Sequence, residues 1–184
     1  MTNLAKIGLL LLVCATTIGG FLWLPPAAGF INPDLARMFV FHTPCAMTGY
    51  VASAVALWYA ICYLRRRNPS DDIKSRVSFA LALLFWVLTT VTGAIFAKTQ
   101  WGAYWNWDPR ETSMFLALLI CIAYFVLRAA IEEPRRQATI GAVYAIFATI
   151  ALPFLSYVLP NAGNESLHPK DVINSSGGLS FAYA

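Results

Sequence analysis

Charged side chains make up only 12% of the 184 residues, about half the share of an ordinary soluble domain. A chain so poor in charge is suited to lipid and excludes the usual water-exposed globular surface. Period-two alternation of apolar and polar residues is also missing, which argues against a membrane β-barrel. The four cysteines, Cys14, Cys45, Cys62 and Cys121, show no paired spacing, so neither a disulfide framework nor a zinc site is suggested and they read as small buried hydrophobes. No G-x-x-x-x-G-K-[ST] run is present, which rules out P-loop ATP hydrolysis, and no C-x-x-C-H, which rules out covalent attachment of a c-type haem to this chain. G-x-S-x-G and H-E-x-x-H are absent as well, along with internal repeats and low-complexity tracts. The chain reads as a non-enzyme.

What remains is 59% hydrophobic and falls into long uncharged runs. Roughly 20 apolar residues in a helix span a hydrocarbon core of about 30 Å. Five runs meet that length, at about 5–24, 42–64, 77–97, 111–130 and 138–159. Helices satisfy their backbone polar groups internally, as a bilayer requires. The predicted fold is therefore all-α, a polytopic membrane helix bundle of about five transmembrane helices forming a single domain over 1–184. The first run reads as a retained helix, because no small-x-small cleavage site follows it closely. The stretch 65–76, with Asn68-Pro69-Ser70-Asp71 as its turn signal, is expected to be a solvated loop.

Orientation follows from the basic residues, since positively charged short loops stay in the cytoplasm. With the N-terminus cytoplasmic, nine of the 13 Lys and Arg lie inside, and Arg37, Lys98, Arg110 and Lys170 lie outside. The basic balance thus reports topology in the bilayer, and no nucleic-acid partner is expected. Three segments share the outer face: the loop before His42, an external tryptophan-rich segment at 98–112, and an external tail at 160–184.

That middle segment reads "WGAYWNWDPRET", with three tryptophans and a tyrosine in seven positions. Asp108, Pro109 and Glu111 fit the N-cap, N1 and N3 positions of the following helix. If capping is the whole task of Asp108, Asp108→Asn is expected to be mild, because Asn also caps well. Capping leaves the aromatics unexplained, and an interfacial belt covers one or two rings. Were the stretch helical, Trp101, Tyr104, Trp105 and Trp107 would form one broad aromatic face suited to a planar ligand. The only two histidines, His42 and His168, flank this segment on the outer side, and neutral imidazole is a leading haem ligand. The four outer cations are positioned to meet carboxylates such as haem propionates, although snorkelling explains each equally well.

"WGAYWNWDPRET" resembles the tryptophan-rich signature W-G-x-x-W-x-W-D of the haem-handling membrane proteins of cytochrome c biogenesis. "FVFHTP" around His42 and "SLHP" around His168 resemble the two histidine-bearing outer segments of the CcmC-type branch, and the similarity spans about residues 36–170. The resemblance implies haem b, bound non-covalently and transiently at the outer face of the bacterial cytoplasmic membrane. Its platform would be Trp101, Tyr104, Trp105 and Trp107 with Asp108 and Arg110, and its axial ligands His42 and His168. The implied partners are a periplasmic haem chaperone and the ATP-binding and membrane subunits of an ABC-type complex that drives haem release. Two departures stand. "WDPRET" is also close to the System II cytochrome c synthetase branch, whose extra intramembrane histidines are missing here. CcmC-type proteins have six helices, whereas only a short polar stretch follows His168, so the chain is either five-helical with an external tail or truncated. Two further readings remain: a bis-histidine haem subunit of an electron-transfer complex, and a structural permease-like subunit.

Overall fold

The computed structural model describes residues 2–26, 30–161 and 166–167. Within them the chain forms helix α1 (Asn3–Trp23), a 3₁₀ turn (Leu35–Met38), α2 (Phe39–Arg66), α3 (Pro69–Trp101), α4 (Pro109–Ala129) and α5 (Pro134–Pro153). A π-helical turn (Phe154–Val158) and a last short helix, α6 (Leu159–Asn161), follow. No strand occurs among the described residues, and five helical stretches are long and apolar enough to cross a membrane. The polytopic helical bundle expected from the runs is the fold observed.

The residues flanking each run explain why the helices extend beyond it. Asn68 accepts the Ser70 N–H (3.0 Å), Pro69 takes the first helical position, and Asp71 and Asp72 complement the dipole of the first turn of α3. Arg67 closes α2 in the left-handed region (φ 55°), its N–H donating to the Tyr63 carbonyl (2.7 Å). The expected solvated loop over 65–76 is therefore incorrect. Only Arg67 and Asn68 lie outside helix there, because two caps and a proline at N1 make a tight helical hairpin. Glu133 caps α5 in the same way, accepting from Arg135 N (2.9 Å) and Arg136 N (2.6 Å), with Pro134 at N1.

Helices α2 to α5 close into a ring in which α2 packs on α3 and α5, and α4 packs on the same two. Their contact faces are lined by small residues, Ala52, Ala56, Ala60, Ala82, Ala117, Ala142 and Ala145, interleaved with the buried rings of Phe79, Trp86 and Tyr124. Small side chains let helix backbones approach closely, which matters in lipid, where no hydrophobic force drives helices together. The large apolar side chains Val51, Leu84, Val91, Phe147 and Ile150 instead stay exposed on the outside of the ring, where acyl chains would solvate them. Helix α1 has no buried residue and touches the ring near one end. There Phe21 stacks on Phe41 at 4.8 Å and the Phe21 carbonyl accepts from Arg37 (3.0 Å).

The bundle thus has two chemically distinct ends. The arginine end carries the α2–α3 and α4–α5 turns, and the tryptophan end carries the start of α2, the α3–α4 loop and the π-helical turn. At the arginine end Arg128 forms a bidentate pair with Asp72 (2.7 and 2.9 Å) and its carbonyl accepts from Gln137 (2.8 Å). This pair ties α4 to α3 where both helices leave the core.

Candidate functional site

An apolar cavity of about 350 Å³ opens at the tryptophan end, within the size range of small-molecule sites. Four elements contribute to it: His42, Met47 and Tyr50 from α2, Trp86, Thr89 and Gly93 from α3, Arg110, Glu111 and Met114 from α4, and Ser156 and Tyr157 from the π-helical turn. Trp105 of the α3–α4 loop and Phe30, ahead of the 3₁₀ turn, also line it.

His42 sits in the first turn of α2, half-buried, with Nδ1 3.0 Å from the Thr92 hydroxyl. Thr92 has one hydroxyl proton and donates it to the Leu88 carbonyl (2.7 Å), as threonines in helices commonly do. It therefore accepts from His42, which assigns the ring proton to Nδ1 and leaves the Nε2 lone pair available to a metal. Gly93 makes room for the ring: a Cβ there would stand 3.0 Å from His42 Cε1. The same logic orders Tyr50. Ser156 donates to the Leu152 carbonyl (2.6 Å), so the Tyr50 hydroxyl is the donor in its short bond to Ser156. Pro153 precedes the π-helical turn that brings Ser156 and Tyr157 to the cavity, and such turns are frequent at functional sites.

Two wall residues hold buried polar atoms without a hydrogen-bond partner among the described residues, Trp86 Nε1 and Glu111 Oε1. Buried polar groups are rarely left unpaired, so both are suited to a polar group on an occupant. An imidazole nitrogen with its lone pair available, flat aromatic walls and an arginine fit a planar, acidic, iron-bearing ligand such as haem.

The tryptophan-rich segment does not form one aromatic face. Gly102, at φ 84°, ends α3 by donating to the Lys98 carbonyl (3.2 Å), and residues 102–108 are not helical, so the helical spacing of the rings does not apply. Trp105 alone of the four lines the cavity. Trp101 packs edge-on against Phe96 (5.9 Å) in a cluster with Phe30, Met38 and Phe39, so it stands behind a wall to which Phe30, Phe39 and Phe96 contribute. Tyr104 is exposed beneath the Lys98 ammonium (5.7 Å), and Lys98 also donates to the Gly102 carbonyl (2.7 Å). Trp107 has φ 56°, is 75% exposed, and meets the edge of Trp105 at 6.0 Å. Of the other cations, Arg37 pairs with Asp34 (3.4 Å), and among the described residues only Arg110 lines the cavity.

Asp108 begins α4 as expected, accepting from Arg110 N (2.9 Å). The capping box closes further back than the standard pattern: Glu111 Oε2 accepts the Asn106 N–H (2.7 Å). Capping is not the whole task of Asp108. Its Oδ2 also accepts from the Ser166 hydroxyl (2.9 Å) and the Leu167 N–H (2.6 Å), so the buried carboxylate joins the tryptophan segment to the stretch after α6. The expectation that Asp108→Asn is mild falls with this finding. His168 and Lys170 lie outside the described residues, as does the 160–184 tail apart from Pro160, Asn161, Ser166 and Leu167.

Sequence reasoning missed Tyr50, Trp86 and Thr92 as parts of the site. A glycine at 93 inside a strong helical run was a legible signal of close approach. Nothing local marked Tyr50 or Trp86.

Fold and site together define a multi-pass helical membrane protein with a histidine-bearing apolar cavity at one end of a four-helix ring. The chain belongs to the cytochrome C assembly protein family, which matches residues 1–168. Among its relatives, the heme exporter protein C of Paracoccus denitrificans is 26% identical over 174 residues, covering 91% of this chain and 70% of the relative. The heme exporter protein C of Bradyrhizobium diazoefficiens is 28% identical over 144 residues, covering 78% and 54%. The cytochrome c biogenesis protein CcsA of Cuscuta reflexa is 30% identical over 112 residues, covering 60% and 35%. The chain thus spans 54–70% of the length of these two exporter proteins.

Proposed function

We propose that this protein binds haem b non-covalently at the tryptophan end and presents it to a periplasmic haem chaperone during cytochrome c maturation, without itself catalysing a reaction. The carrying observation is His42: its Nδ1–H is held by Thr92, which leaves the Nε2 lone pair open beside an apolar cavity. Membership of the cytochrome C assembly family and the names of the exporter relatives support the same reading. Haem supplies an iron able to take two axial nitrogen ligands and two propionates that need cationic partners. In this reading His42 is one axial ligand and His168 the other, Trp105 covers the porphyrin face, and Arg110 meets a propionate.

The segment bearing His168 follows directly on Leu167, whose N–H donates to Asp108. The excess of Lys and Arg at the arginine end argues for a cytoplasmic N-terminus, with the cavity on the periplasmic side of a bacterial cytoplasmic membrane. The implied partners are the ATP-binding and membrane subunits of an ABC-type release complex.

The test is purification in mild detergent, an absorption spectrum, and mixing with apo-chaperone. Stoichiometric haem with a six-coordinate spectrum, altered in His42→Ala and partly restored by imidazole, is expected, with loss of haem to the acceptor. An unchanged spectrum in His42→Ala removes it from the iron and makes Met47 or Met114 the next candidate. Haem that is bound but never released would instead mark a fixed electron-transfer subunit.

A further inference from the structure

A second cavity, of about 760 Å³, lies at the opposite end from His42, between the α2–α3 and α4–α5 turns. Four arginines line it, Arg67, Arg76, Arg128 and Arg135, against a single carboxylate, Asp72. That carboxylate is already neutralised, both of its oxygens being held by Arg128. Arg67 is steered into position by donating to Thr139 on α5 (2.7 Å) and by lying over the Tyr63 ring (5.7 Å). Arg67, Arg76 and Arg135 are exposed and form no ion pair among the described residues. Two further carboxylates lie nearby, Glu133, which caps α5, and buried Asp71 in the first turn of α3, and neither lines the cavity.

A concentration of arginines is common where a membrane helix meets the cytoplasm, and a solvated fringe would satisfy the topology rule. These side chains differ because they converge on one concavity formed by two separate hairpins. Its lining also includes the apolar side chains of buried Tyr63 and Ala138 and of exposed Ile73. The cavity lies at the ends of helices long and apolar enough to span a membrane, where a phospholipid headgroup would sit, and its mixed cationic and apolar lining matches a phosphate joined to a glycerol and acyl chains. Guanidinium groups bind phosphate oxygens through paired N–H donors, and basic pockets between membrane helices take anionic headgroups.

We propose that this cavity is a binding site for the phosphodiester headgroup of an anionic phospholipid, held by Arg67, Arg76 and Arg135. The site is independent of haem and holds for whichever leaflet the arginine end faces.

The experiment uses the full chain in mild detergent, equilibrated with an equimolar mixture of phosphatidylglycerol and phosphatidylcholine, with bound lipid counted by native mass spectrometry. One retained phosphatidylglycerol, in clear preference to phosphatidylcholine, is expected. Arg67→Gln with Arg76→Gln should reduce that preference by roughly an order of magnitude, since each basic residue near an anionic lipid contributes appreciably. Arg67→Lys with Arg76→Lys should keep most of the preference. Arg65→Gln with Arg66→Gln, which removes the same charge at exposed positions outside the cavity, should leave it unchanged. Should the 67/76 pair fail to accumulate, Arg76→Gln with Arg135→Gln tests the same site without touching the α2 cap. Equal losses in the cavity and control pairs would overturn the site in favour of diffuse surface charge. Displacement of the lipid by millimolar inorganic phosphate would overturn the lipid assignment and make it a free-phosphate site. No preference for phosphatidylglycerol in the unaltered protein would overturn the proposal altogether and leave an acidic protein partner as the reading of this face.

Discussion

Replacing Asp108 with asparagine removes one charge and changes no volume, yet the geometry around it leaves the amide no satisfactory orientation. With its oxygen toward Arg110, the side chain keeps the α4 cap but places an NH₂ group where Oδ2 now accepts from Ser166 and from the Leu167 N–H at 2.6 Å. Ser166 can rotate its hydroxyl and accept instead. The Leu167 N–H cannot, so one charge-assisted bond is lost and a donor faces a donor. Flipping the amide only transfers the mismatch to Arg110. A hydrogen bond to a charged group contributes about 1.5–3 kcal/mol, so opening of the 166–167 contact should become roughly 10- to 150-fold more frequent. Hydrogen–deuterium exchange by mass spectrometry on the detergent-solubilised protein reads this directly. In Asp108→Asn, peptides covering 160–168 should exchange faster while those covering 110–114 stay protected, whereas Asp108→Ala should expose both. Equal exchange at 160–168 in Asp108→Asn and the unaltered protein would refute the tether and return Asp108 to capping alone.

Thr92→Val removes the acceptor that holds the His42 Nδ1–H, and loss of such an outer partner typically weakens a metal site by about 10- to 100-fold; haem retention on a desalting column should fall while the level of protein is unchanged, and unaltered retention would count against the tautomer assignment. Trp105→Ala should impair haem retention more than Trp107→Ala, since only Trp105 lines the cavity, and the reverse order would mean that haem lies outside it. Gly141→Ala places a methyl against the Arg128 guanidinium, an overpacking expected to cost about 1–3 kcal/mol and to lower the thermal midpoint in detergent; an unchanged midpoint would show that the Arg128–Asp72 pair is free to shift. For the topology, a cysteine placed at Ala103 should react with an impermeant periplasmic reagent and one placed at Ser70 should not, the opposite pattern inverting the membrane orientation.

Much of the architecture was settled along the chain itself. An apolar run of sufficient length must become a helix in lipid wherever it lies, because the bilayer offers its backbone no other partner. The five runs accordingly matched five helices. The caps at Asn68, Asp108 and Glu133 were equally local, each a side chain reaching its own first turn. Local reasoning erred at Arg67–Asn68, where charge density resembled a loop although the caps shorten it to a hairpin. The condition for one aromatic face, a helical stretch, fails at Gly102, where a left-handed residue ends α3.

The site was decided by tertiary packing, since its defining contacts join residues far apart in the chain. Fifty positions separate His42 from Thr92, 59 separate Asp108 from Leu167, and 106 separate Tyr50 from Ser156. Which faces of α2, α3 and α4 meet depends on how small residues on each helix let its neighbours approach, a property of pairs of helices that no one segment carries. His42 was visible in the sequence as a histidine; that its proton sits on Nδ1, leaving the Nε2 lone pair open, is decided by a threonine acceptor on another helix.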